Sequence, residues 1–515
     1  MRSTNLVLAI VLGSVLARDG RAQEGAAANE QRMRTVTAGE QYGADAFHRF
    51  LLGSDYRDLW TTPVRVRELD LRTYAGGLTP TRRVGGQQTR GLAMKGADGR
   101  DYTFRGLDKD PSEILPPEFH GTFVDRLLQD QIASSMPGSA VAIAPLLEAA
   151  GVLHVESNLV VLPDDSSLGE FREVFGGLLG TLEEFPAAPG DGTPGTFGAT
   201  EIINGAEMWK RLDADPSTRP DSRAFLTARL VDILVGDWDR HRGQWRWAKC
   251  INDELWQPIP EDRDQAFVRF EGLIVNAGRM HLPQFVSFKD DYPSIDGLTW
   301  NGRDGDRRIL VDLPRSTWDE VAKDLQARIT DDVIANAVAR FPAEYCALEG
   351  AFVEQALRAR RDALPEIATE FYEFLARDVD VRGTNQDEVV TITHAGKERI
   401  ELAVSLADGG APYYRRTFHA EETDEIRVYL GGGKDSVAAS GEAGDIVVRV
   451  IGGDGIDAIA GAAGTKLRVS DSDPVTRHTG NAHLDKRPYT MPVREKAPWI
   501  PPRDWGRRYI WYPWI

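Results

Sequence analysis

Residues 235–267 read VGDWDRHRGQWRWAKCINDELWQPIPEDRDQAF, the densest polar and aromatic stretch of the chain. Upstream of it, Leu226, Leu230, Ile233 and Leu234 recur at the spacing of one helix face. Asp221 or Ser222 is placed to cap the start of that helix, and Gly236 to stop it. Residues 245–248 and 255–259 have the character of short strands, joined through Asn252-Asp253-Glu254. A helix therefore ends in a loop carrying the carboxylate of Asp239, with the amide of Gln244 five residues further on. The hairpin returns the chain to a second carboxylate pair, Asp262 and Asp264. Phosphoryl transfer asks for such a set. One carboxylate orients or deprotonates the attacking hydroxyl, a second carboxylate and an amide hold Mg²⁺ on the nucleotide phosphates, and cations offset the developing charge. An Asp-x-Asp pair alone is common, but the order helix, Asp…Gln, hairpin, Asp-x-Asp is more specific. The plainer alternatives are an ion-pair cluster at Asp239-Arg240-His241 that only holds the helix end, and solvated turn carboxylates at Asp262 and Asp264. Trp238, Trp245, Trp247 and Trp256 fit a core that clamps the hairpin.

Working outward, residues 64–71 alternate apolar and charged side chains, as a half-buried strand does. Residues 74–86 are rich in glycine and turn formers. Two strand-like runs, 91–95 and 102–106, flank Gly96-Ala97-Asp98-Gly99, which has the Asp-Gly signature of a hairpin. Phe123, Leu127, Leu128 and Ile132 give 119–134 a helical period, and 152–163 has strand character. Residues 187–198 form a Gly/Pro-rich loop, and 219–376 is mostly helical. A strand-rich part thus precedes a larger helix-rich part.

A different composition begins near Asp378. Short strands at 389–393, 400–406, 413–418, 426–430, 446–451 and 467–470 are separated by Gly/Asp-rich turns, which predicts an all-β sandwich or solenoid. Gly452-Gly453-Asp454-Gly455-Ile456-Asp457-Ala458-Ile459-Ala460 fits the calcium-binding nonapeptide of repeat-in-toxin proteins. Its one echo, Gly431-Gly432-Gly433-Lys434-Asp435, is off-pattern, so tight Gly/Asp turns between strands are the simpler expectation.

At the N-terminus, one positive residue and the 12-residue apolar run 6–17 precede the small residues Gly20 and Ala22. This predicts a cleavable secretory signal at 1–22, and hence an exported chain working in the periplasm, at the outer membrane or outside the cell. Residues 23–62 follow as a leader and N-terminal helical extension. A net charge of −18 argues against nucleic acid as a partner. Export permits a disulfide between Cys250 and Cys346, but two isolated cysteines do not make a zinc site. Residues 481–515 end PPRDWGRRYIWYPWI. This aromatic, Pro-rich tail suits docking to a membrane surface or envelope partner, or a clip on the β-rich part. The chain is also compatible with being the front part of an outer-membrane protein.

GDWDRHRGQW resembles the Asp-x-His-x-x-Asn catalytic loop of HipA-type kinases and the Asp-Arg-His loop of the secretory-pathway (Golgi casein kinase) family. ELWQPIPEDRDQAF is similar to the Trp-x-x-Ile-Pro-x-Asp-x-Asp stretch of the spore-coat kinase CotH, and to the Ile-Asp-Asn-Gly-x-Ala-Phe of type II phosphatidylinositol 4-kinases. LAMKGADGRDYTFRGLDKD has the hairpin shape on which those kinases carry a nucleotide-binding lysine. The resemblance covers roughly 70–345. It implies an α+β fold: a bilobal protein-kinase-like domain with a small β-rich N-lobe at 63–186 and a helical C-lobe at 187–378, before the all-β region at 379–480. It implies Mg²⁺ and ATP as cofactors and an unidentified acceptor. Asp239 would be the catalytic aspartate, with His241 bracing the same loop. Asp262 would be the metal aspartate and Asp264 a second ligand, and Gln244 stands where the family has a metal-binding Asn. Arg105 stands where the family has its Lys, with Lys95 and Lys109 as nearby substitutes. Asp125, Gln129 and Asp130 are candidates for that cation's ion-pair partner. Arg for Lys and Gln for Asn keep a non-catalytic pseudokinase-like scaffold as the alternative. A metal-dependent glycosyltransferase using Asp-x-Asp ranks below both, because no dinucleotide-type glycine fingerprint precedes the pair.

Overall fold

The computed structural model describes residues 32–85, 90–110, 120–190, 195–251, 253–279, 282–470 and 477–484. The predicted signal, the leader up to residue 31 and the aromatic tail beyond residue 484 lie outside the described residues.

The fold is a mixture of sheets and helices. A seven-stranded sheet runs in the order Met33–Val36, Val64–Glu68, Asn158–Val161, Leu179–Glu184, Asp101–Gly106, Gly91–Gly96, Leu78–Val84. All its pairs are antiparallel except Val64–Glu68 with Asn158–Val161. In Val64–Glu68 the period of two is plain, with Val64 and Val66 buried and Arg65 and Arg67 exposed. The strand Leu78–Val84 is one that the sequence hides. It falls inside the stretch expected to be turns, and its side chains are largely exposed.

The helix Ser222–Val235 is the centre of the helical part. Asp221 accepts the Ala224 N–H at 2.9 Å at its start. Gly236, at φ +70°, ends it where the sequence predicts. Every residue from Leu230 to Val235 is buried, so the helix is surrounded rather than amphipathic. It feeds a three-stranded sheet ordered Gln257–Pro260, Trp245–Cys250, Ala199–Asn204. Trp245, Trp247 and Trp256 are buried, and Trp238 packs against Phe270 and Phe285. The N-terminal extension is tied into this core: Tyr56 donates to Phe267 O at 2.7 Å and Trp60 donates to Ser135 O at 2.9 Å.

From Asp378 onward the described elements are strands. Asp378–Arg382, Glu425–Tyr429, Val447–Ile451, Leu467–Ser470 and Ala482–Leu484 form one parallel sheet. Glu388–His394, Ser436–Ser440, Ala458–Gly461 and Arg477–Gly480 run parallel in a second sheet, edged by the antiparallel Arg399–Leu406 and Tyr414–His419. Val, Ile and Leu from both sheets fill a core of their own. Parallel rungs stacked in this way make a solenoid rather than a sandwich of hairpins. The echo at Gly431–Asp435 is one of its repeats, because Gly432 pairs with Asp454, Gly433 with Gly455 and Ser436 with Ala458. Aspartates of the nonapeptide and of its echo serve the ladder: Asp457 accepts the Asp435 N–H at 3.1 Å, and Asp435 accepts the Glu388 N–H at 2.8 Å. Among the described residues no three His, Cys, Asp or Glu side chains are grouped to hold a metal. Cys250 and Cys346 are both free thiols, so the disulfide that export would permit is not formed.

Candidate active site

Arg105 stands on the strand Asp101–Gly106, whose Tyr102 and Phe104 are buried in the core of the seven-stranded sheet. Lys109 follows it in the chain. Asp262 and Asp264 emerge beyond the strand Gln257–Pro260. With Thr181 and Glu183 of the neighbouring strand Leu179–Glu184, these side chains line one cleft. Trp60, Ile132 and Met136 form part of its apolar wall.

The charges in the cleft are interlocked. Arg105 Nε lies 3.7 Å from Asp262 Oδ1, and Gln244 Nε2 donates to Asp262 Oδ2 at 3.4 Å. Lys109 Nζ is paired with Asp264. Burial works to raise the Asp262 carboxyl, but Arg105, Lys109 and the Gln244 bond outweigh it and hold the group below the usual carboxylate range. Asp264 goes the other way, raised by burial and by the charge of Asp262 against the pull of Lys109. Burial would lower the Lys109 ammonium, yet Asp264 and Asp262 hold it above its ordinary value, and Asp239 contributes to the same field. Asp262 has φ +54°, a left-handed backbone that Asp tolerates better than most side chains. Strain of this kind persists where the surroundings over-determine it.

Below the cleft, the loop after the central helix is stitched to the exit of the hairpin by one guanidinium. Arg240, 1% exposed, donates to Gln244 O at 3.0 Å and to Glu261 O at 2.7 Å. The same side chain stacks on Trp245, 4.9 Å from the ring centroid. Arg240 belongs to a buried set of three arginines and three aspartates. Arg229 grips Asp306 with two bonds of 2.7 and 2.9 Å and reaches Asp232 at 2.7 Å. Arg240 lies 3.4 Å from Asp232 and 3.6 Å from Asp237. Arg263 pairs with Asp232 and stands 3.6 Å from Asp237. Burial pushes Arg263 down to about 9 and Asp237 up to about 7. Arg240 therefore fills the structural role weighed for Asp239-Arg240-His241, while Asp239 is left for something else. The Asp239 carboxylate is only partly buried and accepts one bond, from Asn301 Nδ2 at 2.7 Å.

Not every expected residue arrives at the cleft. Lys95 is exposed on the outer face of its hairpin and pairs with Asp101 at 3.2 Å, because side chains alternate along the strand and Met94 takes the inward position. His241 is exposed, and its Nδ1 accepts the Gly243 N–H at 3.0 Å, bracing the loop. None of the three helix candidates pairs with Arg105. Asp125 accepts the Gly121 N–H at 2.7 Å, and Gln129 bonds Tyr42 Oη and Lys109 O. Asp130 is held by Arg57 at 2.7 and 2.9 Å and by His48 at 2.8 Å. The carboxylates facing Arg105 are instead Asp262 and Glu183. Glu183 and Asn301 had no motif to announce them. The strand Leu179–Glu184 that carries Glu183 was not among those expected, and Asn301 meets Asp239 across 62 residues of chain.

The donor set suits an oxygen-seeking divalent cation. Asp262 and Gln244 are in contact through the amide nitrogen, so with the amide turned end for end its oxygen would face the same centre as the carboxylate, with Asp264 beside them. Two protein ligands with the remaining sites left to phosphate and water is a usual Mg²⁺ arrangement.

Three solved structures to which this chain is similar are of kinases. The proinflammatory kinase CtkA of Helicobacter pylori matches with 13% identity and a TM-score of 0.32, over 57% of this chain and 95% of its own. The Golgi casein kinase matches with 11% identity and a TM-score of 0.31, over 66% of this chain and 84% of its own. The same kinase with Mn/ADP bound matches at 11% and 0.31, over 66% and 83%. No family model and no curated protein matches the sequence.

Proposed function

We propose that the chain is an exported, kinase-like phosphotransferase that uses Mg²⁺ and ATP, its acceptor still to be found. In this reading the seven-stranded sheet and the helical part are the two lobes of a kinase-like domain, and the solenoid is an accessory domain. The observation that carries it is the convergence of Arg105, Lys109, Asp262 and Asp264 on one cleft, with Gln244 bonded to Asp262 and Asp239 in the same electrostatic field. Sequence spacing alone brought four of these together, Asp239, Gln244, Asp262 and Asp264.

Arg105 and Lys109 bind the phosphates, Arg105 as a fixed fork and Lys109 as a point charge. Asp262 and Gln244, with Asp264, would hold Mg²⁺, which when bound neutralises charge on the phosphate oxygens. Asp239 takes the proton of the acceptor hydroxyl as its oxygen attacks the γ-phosphorus. The bond from that phosphorus to the β-bridging oxygen breaks and ADP leaves. The Arg240 stitch keeps the Asp239 loop and the Asp262 loop at a fixed separation, so positioning is built in before substrate arrives.

One observation favours a non-catalytic scaffold instead: both metal-side carboxylates already carry protein cations, Arg105 on Asp262 and Lys109 on Asp264. Thermal unfolding with Mg-ADP, with Mg²⁺ alone and with neither separates the two. A stabilisation by Mg-ADP that disappears in Asp262→Ala supports the enzyme. A stabilisation that persists in Asp262→Ala removes these residues from the site, and no stabilisation of the wild type selects the scaffold.

A further inference from the structure

We infer that Asn301 is a positioning residue for Asp239, fixing which of its two carboxylate oxygens receives the acceptor proton; this rests on the phosphotransferase reading. Asn301 Nδ2 donates to Asp239 Oδ1 at 2.7 Å. That bond commits Oδ1 and leaves Oδ2 as the open oxygen, so the carboxylate presents one basic atom in one orientation rather than two in rotation. The other tie from this residue to the loop is main-chain: the Asp239 N–H donates to Asp237 Oδ1 at 3.3 Å. Among the described residues no arginine or lysine is paired with the Asp239 side chain, in contrast to Asp262 and Asp264.

Asn301 can do this because the chain around it is rigid. It sits between the helices Ile295–Thr299 and Arg303–Ile309. Trp300 stacks on the Arg303 guanidinium at 3.5 Å, and Arg303 reaches Asp296 at 3.0 Å. Asp306, one turn on, is clamped by Arg229 of the same helix that delivers the Asp239 loop. A side chain at Gly302 would stand 2.6 Å from Arg229, so the approach of the two segments is close as well as bonded. Asp239 and its amide partner are thus mounted on two segments bolted together through Arg229 and Asp306. A carboxylate in that setting keeps its aim without help from substrate.

The test uses the full chain with Mg-[γ-³²P]ATP, reading phosphate transfer to the chain itself or to water, and Mg-ADP affinity by calorimetry. Asn301→Leu removes the donor at similar size, and Asn301→Asp keeps the shape but turns the donor into a repelling acceptor. Both are expected to lower turnover roughly 10- to 100-fold, with Mg-ADP affinity within about twofold of wild type, because the lost element is aim rather than binding. Asn301→Gln, which keeps an amide donor, is expected to recover part of the turnover. Turnover unchanged in Leu and Asp variants overturns the inference and leaves the phosphotransferase standing. So does a parallel fall in nucleotide affinity and turnover, the mark of a merely structural role. A wild type that neither binds Mg-ADP nor transfers phosphate overturns the phosphotransferase reading, and this inference with it.

Discussion

The guanidinium of Arg240 donates to the main-chain oxygen of Glu261 at 2.7 Å, joining two loops that lie 21 residues apart. One of those loops carries Asp239 and the other Asp262. The guanidinium itself is buried, against Asp232, Asp237 and the face of Trp245.

Replacing Arg240 by Met removes the stitch and leaves Asp232 and Asp237 with less positive charge around them. Breaking one partner of a buried ionic set typically costs about 3–5 kcal/mol. Arg240→Lys is expected to recover little of this, since an ammonium lacks the planar fork that spans the two carbonyls and stacks on Trp245. Urea unfolding followed by tryptophan fluorescence checks both. A loss below about 1 kcal/mol in the Met variant would show that the stitch is not structural.

Lys109 competes with any cation for Asp264. Lys109→Met is expected to tighten binding of Mn²⁺ alone, used as an electron paramagnetic probe, because the carboxylate pair loses its protein counter-ion. The same variant is expected to bind Mg-ADP about tenfold more weakly, having lost the ammonium proposed to bind phosphate. Weaker binding of the bare metal in the variant would contradict the assignment of Asp262 and Asp264 as metal ligands.

The solenoid carries a pH dependence through Asp435. Burial, then the charges of Asp457, Glu388 and Asp387 against the Glu388 N–H bond, push this carboxyl from 3.8 up to about 8. The folded form therefore keeps a proton that the unfolded chain releases above 3.8. The stability so contributed is complete below that value and is lost as pH rises through about 8. Asp435→Asn is expected to flatten the slope of stability against pH over this window. A wild-type slope that Asn leaves intact would place the proton elsewhere.

Rung spacing predicts a contrast between two glycines. A side chain at Gly455 would stand 1.8 Å from Gly433 O, at φ +135°. Gly396, at φ +83°, has nothing within 4 Å. Gly396→Ala should cost about 1 kcal/mol, the strain of a left-handed alanine. Gly455→Ala adds a backbone clash that no rotamer relieves, and about 3 kcal/mol or more is expected. Equal melting temperatures for the two variants would mean that the rungs do not stack at this register.

Much of this was legible in the chain. Asp221 and Gly236 mark the central helix because caps act locally, and the alternation of Val64 to Glu68 declares its own strand. The strand Leu78–Val84 was hidden because Pro80, Arg82 and Arg83 read as turn and surface. Ser436–Ser440 and Ala458–Gly461 were hidden because Ser and Ala alternate outward and only Val437, Ala439, Ile459 and Gly461 go inward. Their pairing is parallel and distant, so the one trace was the repeated glycine turn at Gly431 and Gly453. At the site, Asp239, Gln244, Asp262 and Asp264 follow from their order along the chain. The choice of Lys109 over Lys95 depends on which face of a strand is turned inward, and Asn301 depends on how helices pack.

The six ionisable side chains of Arg229, Arg240, Arg263, Asp232, Asp237 and Asp306 are enclosed together in the interior. Any lineage that exchanges one of them must pass through an ion stranded in oil unless a second exchange arrives with it. Descendants and relatives of this chain should accordingly change these positions in matched groups or not at all, so that a correlated pattern at the six would be the inherited signature of the platform on which Asp239 stands.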